Sequence, residues 1–353
     1  MQIEWLQIRN VRNLSNLRIE PGPALNVISG PNGSGKTALL EAIHFLGRCR
    51  SFRTSGINRV IRYRQKELLV SAGLRLPDQS LVVTGVERSR AAINIRYNNK
   101  VVRRVSEQAA QIPVITITPD SHRLISGSPV YRRRWLDWAM FHVKPDYIDT
   151  WRDYYKALKN RNSLLRKNSV EQLGTWERAM GQAAEKINMQ RNAFIAAVAD
   201  EMVSTAQRLG IPLTTLQYDR GWQQGVGLEQ FLAAHRKGDM ERGMTRHGVH
   251  RSDIILRQDG RDIGQFYSRG QIKLCIIALS LAQDSVFRRN TGRQPIILAD
   301  DLSAELDVAS QSRVIDVLAE RGGQVFITTT GKIPTSAHRQ QTMFHVEQGR
   351  VLT

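Results

Sequence analysis

The chain has 353 residues, enough for about two domains at roughly 150 residues each, and its 41% apolar and 24% charged residues are the balance of a folded globule. Lys and Arg outnumber Asp and Glu by 51 to 32, a net charge of +19 that calls for an anionic partner, nucleic acid or an acidic membrane face. Two cysteines, Cys49 and Cys275, cannot build a disulfide scaffold, and the longest strongly apolar stretch, Leu274 to Ala282, falls well short of the roughly 20 residues a membrane helix needs.

Residues 1–10 alternate and carry Glu4 and Arg9, which is not the apolar core of a signal peptide, so a cytoplasmic protein with no membrane partner is expected. Ile3, Trp5, Leu6 and Ile8 form a first strand-like run, Leu14, Leu17 and Ile19 a second, and Leu25, Val27 and Ile28 a third. The third ends in Gly30-Pro31-Asn32-Gly33-Ser34-Gly35, a breaker cluster, and apolar residues from Ala38 to Leu46 then recur at helical spacing. Short alternating runs from Leu68 to Val102 predict antiparallel sheet with a hairpin tip at Asn98-Asn99. Between Arg133 and Leu209 the period is helical, and a single stripe from Leu173 to Leu209 predicts a helix about 50 Å long, ended by Gly210-Ile211-Pro212. A Gly-rich irregular stretch follows, then a strand at Asp253 to Leu256, a helix around Ile272 to Leu281, and strands at Pro295 to Leu298 and Val325 to Thr328. The expected fold is α/β, built from both chain ends: residues 1–120 and 245–353 form one unit, interrupted by a mainly helical lobe over 121–244.

Gly30 to Thr37 fits G-x-x-x-x-G-K-[ST] between a strand and a helix. Its glycines let successive backbone N–H groups curl around phosphates at the positive end of the following helix. Lys36 is placed to reach the β- and γ-phosphates of ATP, and the Thr37 hydroxyl to hold Mg²⁺. A phosphate loop alone does not choose among kinases, GTPases, helicases and ATPases. Downstream, the apolar strand Pro295 to Ala299 ends in Asp300 and Asp301; the first carboxylate suits a metal ion and the second the attacking water. Ser303-Ala304-Glu305-Leu306-Asp307 follows. Upstream, Tyr267-Ser268-Arg269-Gly270-Gln271 heads an apolar helix, where a hydroxyl and free N–H groups can face an anion or merely cap the helix.

Taken together these motifs resemble the ABC-type ATPases, and within them the RecF branch of DNA repair proteins, which shares its head with SMC-like proteins. Ser268 to Gln271 resembles the ABC signature in an S-R-G-Q form, Asp300-Asp301 the Walker B pair with Asp in place of the usual Glu, and Ser303 to Asp307 the D-loop. Leu6 to Asn13 resembles the family's opening motif, and Pro119 to Asp137 and Gly248 to Asp253 resemble stretches specific to the RecF branch. The resemblance implies an ABC ATPase head with a mixed sheet. It also implies an ATP-dependent homodimer in which Ser268, Gly270 and Gln271 of one copy complete the site at Lys36 of the other. It further implies DNA as partner, gapped or at single-strand–duplex junctions, with RecO and RecR helping to load RecA in replication-linked repair and the SOS response. Two departures stand out: only threonines follow the final core strand where ABC proteins place a histidine, and Thr118-Pro119-Asp120 stands where a glutamine is usual. Slow, DNA-stimulated hydrolysis is therefore expected, below the roughly 10 s⁻¹ median of enzymes. The alternative, a transporter-type ABC subunit, fits the +19 charge poorly.

The densest positive spots are Arg132-Arg133-Arg134, Arg103-Arg104 and Arg288-Arg289, each readable as a phosphate contact or as a solvated helix face. Trp135, Trp138, Trp151 and Trp176 sit among apolar neighbours and favour core packing over base stacking. His247, His250 and Asp253 are spaced like metal ligands, but the intervening Gly and Arg251 argue against a metal.

Overall fold

The computed structural model describes residues 1–331 and 341–352. The N-terminal strands β1 (Gln2–Val11) and β2 (Leu14–Ile19) pair antiparallel, and β3 (Leu25–Ser29) runs into the glycine loop and α1 (Lys36–Arg48). Strands β4 (Glu67–Arg75), β5 (Leu81–Ser89), β6 (Ile93–Tyr97) and β7 (Lys100–Val101) extend the first pair into a six-stranded antiparallel sheet, ordered β2-β1-β4-β5-β6-β7. Asn98 and Asn99 both adopt positive φ at the β6–β7 tip, the geometry a two-residue hairpin needs.

Helix α2 (Val105–Gln111) leads to β8 (Val114–Ile117). Then come α3 (Arg123–Ser126), α4 (Pro129–Val143), α5 (Tyr147–Arg166) and the 37-residue α6 (Leu173–Leu209). The last of these spans the predicted stripe and stops at Gly210, whose φ of 69° closes it in the left-handed region. A charged cluster lies inside this lobe. Arg161 of α5 is wholly buried and binds Glu177 of α6 at 3.1 Å and Asp239 at 2.8 Å, both carboxylates buried with it. The stretch that reads as irregular holds β9 (Thr215–Asp219), α7 (Leu228–Ala234) and α8 (Arg236–Arg242). Strand β9 pairs with β10 (Asp253–Gln258), itself paired with the short β11 (Arg261–Asp262), so this three-stranded sheet crosses the lobe boundary expected at 244.

The C-terminal part supplies α9 (Arg269–Thr291), β12 (Ile296–Ala299), α10 (Val308–Glu320), β13 (Val325–Thr328), β14 (Gln341–Glu347) and β15 (Arg350–Leu352). These strands join β3 and β8 in a second six-stranded sheet, ordered β15-β14-β3-β13-β12-β8 and parallel except at the β15 edge. A sheet covered on both faces needs strands that are apolar throughout, and Ile296 to Ala299 are all buried. Ile296 and Leu298 face a core shared with α1 and the antiparallel sheet, whereas Ile297 and Ala299 face a core shared with α9 and the helical lobe. Among the described residues α9 is the one helix long and apolar enough to cross a membrane. It is buried inside the chain instead, packed against α4, α6 and β8.

Candidate functional site

The glycine loop leaves the buried end of β3 and delivers its last two residues as the first turn of α1. Gly30 has φ of 144°, and a Cβ there would lie 2.1 Å from the Val346 carbonyl, so no other residue fits. The loop is propped from outside: Asn13 Nδ2 donates to the carbonyls of Ser34 at 3.0 Å and Gly33 at 3.3 Å, and the Gly349 N–H donates to Ser34 O at 2.7 Å. Lys36 Nζ folds over the loop onto the carbonyls of Gly30 (2.7 Å) and Pro31 (2.8 Å). Burial lowers the proton affinity of this ammonium, and the nearby charges of Asp301 and Asp300 oppose the shift. The Ser34 hydroxyl is buried within the loop and has no hydrogen-bond partner, an orphaned donor beside the place where a phosphate would lie.

Strand β12 carries Asp300 to the same spot. The Thr37 hydroxyl donates to Asp300 Oδ1 at 2.9 Å across 263 positions of sequence, and Thr328 Oγ1 donates to the same oxygen at 2.7 Å. Burial raises the carboxyl's pKa, and the Thr328 and Thr37 hydrogen bonds oppose that rise. Thr328 also accepts the Asp301 N–H at 2.8 Å, which holds Asp301 in a left-handed conformation of φ 52°. Around these groups lies a cavity of about 420 Å³, walled by the loop, Arg12, Arg53, Thr118 to Asp120, Asp300 and Asp301.

Ser268 caps α9. Its Oγ accepts the Gln271 N–H at 3.3 Å, and Gln271 Oε1 accepts the Ser268 N–H at 2.9 Å. Ser268, Arg269 and Gln271 are exposed, and the Arg269 side chain is 89% exposed. Neither Ser268, Gly270 nor Gln271 lines the cavity of its own chain. One turn further in, Lys273 is buried and donates to the carbonyls of Asp301 at 2.7 Å and Ala304 at 2.5 Å, so the exposed helix end is tied to the segment after β12. In that segment Asp307 caps α10, accepting the Ser310 N–H at 2.7 Å.

Residues 2–351 match the RecF/RecN/SMC N terminal domain family. A DNA replication and repair protein RecF from Chromohalobacter salexigens is 38% identical over 363 residues, covering 100% of both chains. The RecF of Stutzerimonas stutzeri is 37% identical, covering 99% of this chain and 97% of its own. The chain belongs to the RecF family. A solved structure of the recombination mediator protein RecF-ATP in the RecFOR pathway superposes with a TM-score of 0.86 at 25% identity, over 99% of this chain and 96% of that one. An SMC head bound to the C-winged helix domain of ScpA shares the fold, with a TM-score of 0.59 at 16% identity over 99% of this chain and 96% of that one. The expected α/β ABC-type head therefore stands.

In this RecF-family chain the basic run at α4 divides. Arg132 does not face solvent as a phosphate contact would. It grips Asp253 through two nitrogens, at 2.6 and 2.9 Å, and donates to the Gly127 carbonyl at 2.8 Å, because the chain entering α4 must be fastened to β10. Arg133 donates to the Ser252 carbonyl at 2.8 Å and is half-buried, and Arg134 alone of the three is exposed. Arg288 and Arg289 are likewise engaged, by Asp284 and Glu201. His250 is half-buried between the Tyr154 hydroxyl (2.7 Å) and the Thr245 carbonyl (3.1 Å), with its pKa pushed down by desolvation to about 4. Among the described residues no cluster could hold a metal through His, Cys, Asp and Glu alone. Arg12 lines the cavity but is held by the wholly buried Glu41 at 2.7 and 2.8 Å. Sequence reasoning missed Thr328, Lys273 and Arg53. Their only signal is position: a threonine at a strand end, a lysine one turn inside a capped helix, and an arginine beyond the end of α1.

Proposed function

We propose that this chain is an ATP-switched DNA-binding protein of recombinational repair. The observation that carries the reading is the Thr37–Asp300 contact at 2.9 Å, which sets a metal-binding hydroxyl and carboxylate together beside the phosphate loop. Two hard oxygen donors of this kind suit Mg²⁺, which would neutralise charge on the β- and γ-phosphates. The loop N–H groups and the Ser34 hydroxyl bind the phosphates, Lys36 moves from the loop carbonyls to the terminal phosphates, and Asp301 orients and polarises the attacking water. Ser268, Gly270 and Gln271 of a second copy close the site, so ATP joins two chains and hydrolysis releases them.

Asp301 is shorter than Glu and no histidine follows β13 up to Gly331, which makes hydrolysis slow, a timer rather than a motor. The dimer holds gapped or junction DNA and acts with RecO and RecR in loading RecA, in line with the repair role named for its full-length relatives. The test is equilibrium binding to a gapped duplex at several salt concentrations, without nucleotide and with ATP plus Mg²⁺. Tighter binding with ATP, lost in Lys36→Ala and in Ser268→Arg, is the expected result. Equal affinity in both conditions would remove DNA as the switched partner.

A further inference from the structure

A second, larger cavity of about 780 Å³ opens between the C-terminal end of α1 and the first helices of the lobe. Six arginines line it, Arg48, Arg50, Arg53, Arg88, Arg123 and Arg134, against one carboxylate, Asp120, which already faces Arg123 at 3.6 Å. Among the described residues none of the other five forms an ion pair or donates a side-chain hydrogen bond to the protein; the Arg53 charge acts on Asp300 across the junction with the nucleotide cavity, and Arg48, Arg50, Arg88 and Arg134 face no carboxylate. Arg48 forms the floor: its Nε is buried without a partner, and its guanidinium lies 5.4 Å from the ring centroid of Trp138. The indole N–H groups of Trp135 and Trp138, both lining residues, are also buried and unpartnered.

Like charges gathered in a crevice with so little counter-charge are costly, and the cost shows on the groups themselves. Burial and the neighbouring Arg50 push Arg48 down to about 9, and burial and Arg134 push Arg50 down. A phosphate group would reverse each of these penalties, accepting hydrogen bonds from guanidinium forks and from the orphaned indoles. The phosphate loop does not supply this anion, because its residues Asn32 to Thr37 line the other cavity. The two cavities share only Phe52, Arg53, Thr118 and Asp120 at their junction.

We propose that this crevice is a second phosphate-binding site, distinct from the nucleotide cavity, which takes a phosphate of a nucleic-acid backbone or a free phosphate. It stands on its own geometry and does not depend on the nucleotide reading. The test titrates the Lys36→Ala protein with inorganic phosphate and, separately, with a short single-stranded oligonucleotide, following tryptophan fluorescence from Trp135 and Trp138. The double variant Arg50→Gln, Arg134→Gln alters only exposed side chains at the rim, so it keeps the test valid even if Arg48→Gln fails to fold.

Saturable phosphate binding that weakens about tenfold for each guanidinium removed supports the site. If oligonucleotide binding weakens in step, with the salt slope falling by roughly 0.7 per lost contact, the ligand is a strand backbone. If only phosphate binding weakens, the ligand is a free phosphate. Absence of saturable phosphate binding in Lys36→Ala, or a rim variant that binds phosphate as its parent does, would overturn the proposal. ATP binding equally well with and without Lys36 would instead overturn the nucleotide reading and leave the crevice standing.

Discussion

The phosphate loop and the signature segment at the head of α9 are held in contrasting ways. The loop is fastened from the side by Asn13 and Gly349, its lysine lies on its own carbonyls, and the facing carboxylate is clamped by two threonine hydroxyls. The signature residues are held by their own capping box and a loose Arg269–Glu305 pair at 3.7 Å, and Ser268, Arg269 and Gln271 are open to solvent. Preorganised donors act strongly because they need no rearrangement when charge arrives, so the loop has the build of a binding site. An exposed capped helix end has the build of a surface waiting for another molecule. Lys273 links the two within one chain, since the helix that carries the exposed end also holds the carbonyl of Asp301.

The largest effect should come from breaking the clamped side. Asp300→Asn keeps an acceptor for Thr37 and Thr328 but removes the charge proposed to hold Mg²⁺, and single-turnover hydrolysis should fall by about 10³-fold; a loss under tenfold would mean that Asp300 is structural. Lys36→Ala should weaken ATP by about 100-fold, the loss of a charged hydrogen-bonding group, read by equilibrium binding. Lys273→Met keeps the buried volume and removes the link. It should raise the ATP concentration for half-maximal dimerisation by about tenfold and leave ATP affinity of the monomer unchanged; equal dimerisation would separate the two regions energetically.

The smallest effect concerns stability. Burial raises the Asp300 pKa in the folded state, so the native protein binds the proton more tightly and this residue's destabilising contribution grows as pH rises from the ordinary carboxylate value through the raised one. Asp300→Asn should therefore resist denaturant better than the parent at neutral pH, with the gap closing on acidification. A constant gap across pH would contradict that origin.

Much of the loop side is legible in sequence because glycine, lysine and threonine at fixed spacing carry the chemistry locally, and the long helix because its stripe is continuous over 37 residues. What escapes are features made by distant partners. Strand β8 is only four residues long, and both β8 and β14 take their place from parallel partners far away in sequence. Arg132, Arg161 and Glu177 look like surface charge in one dimension, yet each meets an opposite charge brought from another element. Thr328 reads as the place of a missing histidine, while in the fold it joins Asp300 to Asp301.

The most direct test mixes the two halves of the proposed composite site. Lys36→Ala spoils the phosphate loop but leaves the signature, and Ser268→Arg spoils the signature but leaves the loop. If one chain's signature closes another chain's loop, each variant alone fails to dimerise on ATP, and an equimolar mixture regains both ATP-dependent dimer and hydrolysis through one intact shared site. A mixture as inactive as its components would contradict the shared site and confine nucleotide chemistry to the single chain.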